Sequence, residues 1–229
     1  MVVVALVAAA VTLTRTSLFG ARTINVRGAE HLTRSEILRI AGVDPGTNVF
    51  AFDADAAERR LERDPWIADA TVTKDLPSTV SIDITERTAV GVVESGGALR
   101  LVADDGVLLE AALPRLATGL PRITSAEEGA PEPATEGIRT AAGAIAAMTP
   151  VLRREVNAVS ILADGQLRVD LSSGALVAYG PPVDLVEKGQ ALRALLAYAA
   201  QQGTTLRSAD VRVPSAPTVR FGGTASTTP

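Results

Sequence analysis

From Val80 to Thr85 apolar and polar residues alternate without a break, with Val80, Ile82 and Ile84 set against Ser81, Asp83 and Thr85. Successive side chains of a strand point to opposite faces, so this segment needs a core on one side and water on the other. That commits the region to a sheet covered on one face, and the flanking sequence supplies both partners and cover. Ile67, Ala70 and Val72 lead into the turn Asp75-Leu76-Pro77-Ser78, so the two runs pair as a hairpin. Upstream, Thr23-Ile24-Asn25-Val26 reads as a short strand running into a turn at Arg27-Gly28. Two helices stand between. Thr33-Arg34-Ser35-Glu36 is a capping box ahead of Ile37, Leu38, Ile40 and Ala41, stopped at Gly42. Asp53 caps the second helix, whose stripe is Ala54, Ala57 and Leu61, while Glu58, Arg59, Arg60 and Glu62 face water. Residues 20–87 therefore read β-α-α-β-β, small but within the range that folds alone. Trp66, the only tryptophan, is expected in its core, anchoring the helices onto the sheet.

Residues 88–222 change character. Short strands at 89–93, 98–102 and 107–109 are separated by the hairpin signals Ser95-Gly96-Gly97 and Asp105-Gly106. Residues 114–137, rich in Pro, Gly, Glu and Ala and without periodicity, read as a linker. An alanine-rich helix follows at 138–148, then strands at 156–162, 167–171 and 176–179. A long helix over 183–201 presents Leu185, Leu192, Leu195, Leu196 and Ala199 on one stripe. Residues 209–213 and 218–221 read as a last hairpin or edge pair, and 223–229 as a flexible tail.

The start of the chain is apolar from Val2 to Leu13, broken only by Thr12 and closed by Arg15. At ~1.5 Å per residue a helix of that length spans roughly 20 Å, short of the ~30 Å hydrocarbon core. Running on to Phe19 reaches the thickness and leaves Arg15 to snorkel at the interface. No basic residue precedes Val2, as one would in a secretory signal. Residues 1–19 are therefore expected to be a partial transmembrane helix whose beginning is missing, contacting membrane lipid. A signal-like segment without its start and a buried core helix stay open. The expected fold class is α+β: an N-terminal membrane helix, the β-α-α-β-β module, then a mostly antiparallel β domain with a long packing helix.

The chemistry available is narrow. The chain has no cysteine, which excludes disulfides, thiolate metal sites and cysteine nucleophiles. Its one histidine, His31, excludes sites built on several imidazoles and reads as a solvated loop residue. A net charge of −4 argues against nucleic acid, and aromatic content of 3% against base or sugar stacking. Gly-x-Ser-x-Gly, Gly-Lys and Gly-x-Gly-x-x-Gly signatures are missing. Asp104-Asp105 reads as turn residues, Glu127-Glu128 as solvated, and Asp53 with Asp55 as helix cap and dipole partner. Arg59, Arg60 and Arg63 alternate with Glu58 and Glu62, a mixed surface and not a phosphate groove. No catalytic residue, cofactor, metal or small-molecule substrate is expected. An exposed edge strand near Phe221 could instead accept a partner's strand.

Motif order adds a resemblance. The chain carries Ser17-Leu18-Phe19, Ile24-Asn25-Val26-Arg27-Gly28, Thr33-x-x-Glu36-Ile37, Gly46-x-Asn48 and Asp64-Pro65-Trp66-Ile67-x-x-Ala70. Leu76-Pro77-x-Thr79-Val80 and Glu86-Arg87-x-Ala89-Val90 follow, then Leu101-Val102-x-Asp104-x-Gly106, Glu187-Lys188 and Asp210-Val211-Arg212. This succession resembles the bacterial cell-division family FtsQ/DivIB, in particular its actinobacterial members. The resemblance implies a single-pass protein of the cell membrane at the division septum, with a POTRA domain at 20–87 and a β domain at 88–222 outside the membrane. It implies a non-enzymatic divisome scaffold that binds FtsB and FtsL, with the septal synthase FtsW/FtsI as a further partner, and helps control septal peptidoglycan synthesis. The implied partner edge is Val211, Val213, Ser215, Val219 and Phe221, with Pro214 and Pro217 interrupting it. The alternatives are a POTRA-containing component of another envelope assembly or secretion system, and a wall-active enzyme.

Overall fold

The structure, a computed structural model, describes residues 19–112, 117–125 and 135–224. The expected membrane segment before Phe19, the pair Glu127-Glu128 and the last five residues lie outside them. No described helix is long and apolar enough to cross a membrane. The chain divides into two compact units that part between Arg87 and Thr88.

The first unit runs β1 (Thr23–Arg27), α1 (Arg34–Ala41), α2 (Ala54–Leu61), β2 (Ile67–Asp75) and β3 (Thr79–Glu86). Its three-stranded sheet has the order β1-β3-β2, with β1 parallel and β2 antiparallel to the central strand. Val80, Ile82 and Ile84 of β3 are buried against Ile37, Ala41, Ala57 and Leu61 of the helices, as the alternation requires. The Thr33–Glu36 capping box forms in both directions, Gly42 closes α1 in the left-handed region, and the Asp53 carboxylate accepts from the Ala56 amide. The Thr33 hydroxyl and amide on the Glu36 carboxylate hold its pKa below the ordinary value.

Two expectations for α2 need correcting. Glu58 accepts from the Val72 amide on β2 at 2.7 Å, and Arg60 donates to the carbonyls of Ile40 and Ala41 at the end of α1. Both bind main-chain groups left unpaired, Glu58 at the outer edge of β2 and Arg60 at the end of α1, work a helical wheel cannot foresee. Trp66 is corrected too. It is half-buried outside the core cluster and stacks on exposed His31, with ring centroids 3.7 Å apart at 18°. The loop bearing His31 is held by Glu86, whose carboxylate accepts from the amides of His31 and Leu32 at 2.6 and 2.9 Å.

The second unit contains β4 (Ala89–Ser95), β5 (Ala98–Ala103), β6 (Leu108–Ala111), β7 (Arg122–Ser125), α3 (Thr135–Ala147), α4 (Pro150–Glu155), β8 (Val156–Ile161), β9 (Leu167–Leu171), β10 (Leu176–Gly180), α5 (Leu185–Gln201), β11 (Thr204–Asp210) and β12 (Thr218–Thr224). One nine-stranded sheet holds all of these strands, in the order β12-β11-β10-β9-β8-β7-β4-β5-β6. Most pairings are antiparallel, but β4–β7, β7–β8 and β10–β11 are parallel. A parallel pair needs a crossover, and α3 with α4 and then α5 supply two of them. Their apolar sides and the facing strands form one core around Ile145, Leu152, Val159, Tyr179 and Leu192.

The expected linker contains a strand. β7 is hydrogen-bonded on both sides, and Ile123 within it is buried. Likewise α3 begins at Thr135, inside the same segment, and β12 continues to Thr224, past the expected start of the tail. α4 is a further helix beyond those expected, signalled by Thr149 as N-cap with Pro150 at the first helical position.

Lys188 is the outlier of this core, fully buried on α5. Its ammonium donates to the Pro181 carbonyl at 2.7 Å and lies 5.9 Å from the Tyr179 ring, whose hydroxyl donates to Leu185 at 3.0 Å. The pair thus ties the 181–185 turn to the first turn of α5. Burial pushes the Lys188 pKa down from 10.5, and Asp184 opposes that shift.

Gly28→Ala is expected to destabilise the chain by about 2 kcal/mol or more in thermal unfolding, since φ is +80° and a Cβ would lie 1.9 Å from the Ile84 carbonyl oxygen. For Lys188 the unfolded chain holds the proton to higher pH than the folded one, so its share of stability rises with pH up to about 10.5. Urea unfolding should therefore show wild type gaining on Lys188→Met as pH is raised from neutrality toward that value.

Candidate functional site

β12 ends the nine-stranded sheet and is paired on one side only, with β11. Its register matches Asp210 with Thr218 and Ala209 with Val219, then shifts around Leu206, where Phe221 lies opposite. A bulge of this kind bends and twists an edge. Val219 is half-buried and packs on the core. Phe221, two residues on and hence on the same face, is 37% exposed and 5.9 Å from the ring of Tyr198 on α5. Tyr198 is itself 51% exposed. The outermost strand thus offers main-chain groups beside an exposed aromatic pair.

The residues expected at this edge separate. Val211 is fully buried and its amide donates to Ala178 at 3.0 Å, so it belongs to the core. Val213, 58% exposed, and Ser215, also exposed, lie in the 211–217 connection, outside both strands. Pro214 and Pro217 fall in that connection too, so neither interrupts the ladder. The connection leaves β11 through Asp210, whose carboxylate accepts from the Arg212 amide and guanidinium at 3.0 and 2.6 Å. That pairing holds the Asp210 pKa below, and the Arg212 pKa above, their ordinary values. Sequence reasoning missed Tyr198, since its approach to Phe221 needs the packing of α5 beside the last hairpin.

The edges of the first sheet differ. Arg34 of α1 donates to the Ile24 carbonyl of β1 at 2.8 Å, and Glu58 of α2 accepts from Val72 of β2. Each outer strand there carries a helix side chain on its main chain. On β12 the Thr204 hydroxyl of the neighbouring β11 donates to the Gly222 carbonyl at 2.8 Å, and among the described residues no helix side chain hydrogen-bonds to the main chain of 218–221.

The other groups weighed for chemistry do not converge. Asp105 accepts from the Val107 amide at 3.1 Å, the turn geometry expected of it. His31 faces Trp66. Among the described residues no three His, Cys, Asp or Glu side chains are grouped to hold a metal ion.

These features define a two-unit α+β protein, a β-α-α-β-β unit followed by a mixed sheet with a one-sided terminal strand. The FtsQ-type POTRA domain family matches residues 19–87, and the C-terminal region of cell division protein FtsQ/DivIB matches 91–212. A cell division protein FtsQ from Mycolicibacterium smegmatis is 32% identical over 90% of this chain and 58% of its own length. One from Streptomyces griseus is 30% identical over 86% of this chain and 94% of its own. A third, from Bradyrhizobium diazoefficiens, is 39% identical over 46% of this chain and 31% of its own. The chain thus spans less than two thirds of the first and third of these relatives. The major extracytoplasmic domain of DivIB from Geobacillus stearothermophilus gives a TM-score of 0.36 at 14% identity, covering 51% of this chain and 93% of that one, too slight a likeness to define a fold. The chain belongs to the FtsQ/DivIB family of cell division proteins.

Glu58→Ala should free the Val72 amide and speed its hydrogen exchange about tenfold, the equivalent of ~1.4 kcal/mol for a lost charge-assisted bond, whereas Glu58→Gln, which keeps an acceptor, should fall in between.

Proposed function

We propose that this chain is a non-catalytic assembly factor of the division machinery, held at the cell membrane by its N-terminal apolar segment with both units outside the membrane. In this role β12 accepts a strand from FtsB, with FtsL bound in the same assembly and the septal synthase FtsW/FtsI downstream. The observation that carries the reading is the one-sided pairing of β12 beside exposed Phe221 and Tyr198. An added strand would satisfy the outer main-chain groups, and side chains pointing toward α5 would bury against the aromatic pair. Val219 and Phe221 would make the central apolar contacts, with Val213 and Ser215 flanking them from the connection. Val211, being buried, would support the strand from within.

The test is binding of the chain to the extracytoplasmic segment of FtsB from the same organism, measured by calorimetry. Phe221→Ala is expected to weaken binding about tenfold or more with thermal stability retained, because exposed aromatics at an interface centre carry a large share of its energy. Undiminished binding by Phe221→Ala and by Tyr198→Ala together would move the partner surface elsewhere.

A further inference from the structure

Of the large apolar side chains described in the POTRA unit, two are exposed, Phe50 at 54% and Leu76 at 56%. They come from unrelated segments, one following α1 and the other in the β2–β3 turn. Both nevertheless stand at the end of the unit where the chain arrives from its apolar N-terminal run. Phe50 is placed by a seam between residues 19–21 and 46–49. Val49 donates to Phe19 at 2.7 Å, Ala21 to Thr47 at 2.8 Å, and Gly46 to Ala21 at 2.9 Å, with Gly20 and Asn48 bridged. The Phe50 ring lies 5.9 Å from that of Phe19 at 62°, an edge-to-face pair. Leu76 is placed through Ser78, whose carbonyl accepts from the amides of Arg22 and Thr23 at 2.9 and 3.2 Å. The seam and the turn therefore share one short piece of chain, residues 19–23, directly after the apolar run.

We propose that this end of the POTRA unit is a membrane-contact surface, with Phe50 and Leu76 seated in the interfacial layer of the lipid bilayer on either side of the point where the chain leaves it. The inference rests on the membrane-anchor reading of the N-terminal apolar segment given above. With that run in the bilayer, Phe19 stands at its edge, and two side chains fixed to residues 19–23 reach the same depth. Exposed apolar groups near a bilayer are stabilised by leaving water for the headgroup and acyl boundary. The charges at this end balance in sign: Arg22 and Lys74 are matched by Asp44 and Asp75, all four exposed, and Lys74 donates to the Phe52 carbonyl at 2.7 Å. Contact is thus driven by apolar area and does not require anionic lipid. The consequence is orientational: two added contacts restrain a unit that would otherwise swing on a single covalent joint.

Because the chain has no cysteine, single nitroxide labels can be attached without altering anything else. The full chain is reconstituted into phosphatidylcholine vesicles carrying labels at Phe50→Cys, Leu76→Cys or Glu62→Cys. Glu62 lies just before β2, whose nine residues put it roughly 30 Å of strand from the Leu76 turn. Labels at 50 and 76 are expected to collide more with oxygen, which concentrates in lipid, than with an aqueous nickel chelate, and the label at 62 the reverse. Flotation of the same samples separates the two readings. A chain that floats while labels at 50 and 76 meet the nickel chelate as freely as the label at 62 overturns the contact surface and leaves the anchor standing. A chain that does not float overturns both.

Discussion

A strand of four residues, β7, joins the two halves of the nine-stranded sheet. On one side it pairs in parallel with β4 and so carries the β4-β5-β6 meander; on the other it pairs in parallel with β8 and carries everything out to β12. Ile123 at its centre is buried in the core shared with α3. Without those two ladders the meander would be a separate, marginal sheet, since three short strands bury little on their own. The small side chains of α3, with Ala141, Ala142 and Ala144 fully buried, let the helix lie close over the sheet. Gly106 shows how close: a Cβ there would come 2.6 Å from the Arg139 backbone.

Several charged side chains among the described residues hold main chain. Glu86 closes the loop around His31, Glu58 and Arg60 tie α2 to β2 and to the end of α1, Arg34 reaches β1, and Lys188 fastens the turn before α5. Each meets a backbone group that regular secondary structure leaves unpaired, and where that group is buried an unmet donor or acceptor would cost about 1–3 kcal/mol. Glu86 and Lys188 belong to the segments that carry the resemblance, and each is a joint in the fold.

The two sheets treat their edges differently. Helix side chains sit on the main chain of both outer strands of the POTRA sheet, a device that blunts edge-to-edge pairing. β12 carries a bulge in its pairing and an aromatic pair at its flank.

Local pattern was enough for the first unit. Alternation in β3, the capping box at Thr33, the cap at Asp53 and the stop at Gly42 are each set by residues within a few positions of one another. Most strands of the second unit were legible for the same reason, but the strand expected at 209–213 overlaps only the end of β11, which runs from Thr204 to Asp210. The linker reading failed because β7 is too short to show a period and owes its existence to two ladders whose partners lie far off in sequence. Trp66 and Lys188 were misjudged or passed over because burial belongs to tertiary packing: the large aromatic stands half out of the core, and the lysine lies wholly within it. At the candidate edge, composition pointed to Phe221, but its neighbour Tyr198 and the burial of Val211 depended on how α5 and β10 meet the last hairpin. Residue order dictates which segments become helix and strand; which of their side chains face a partner is decided only when distant segments pack.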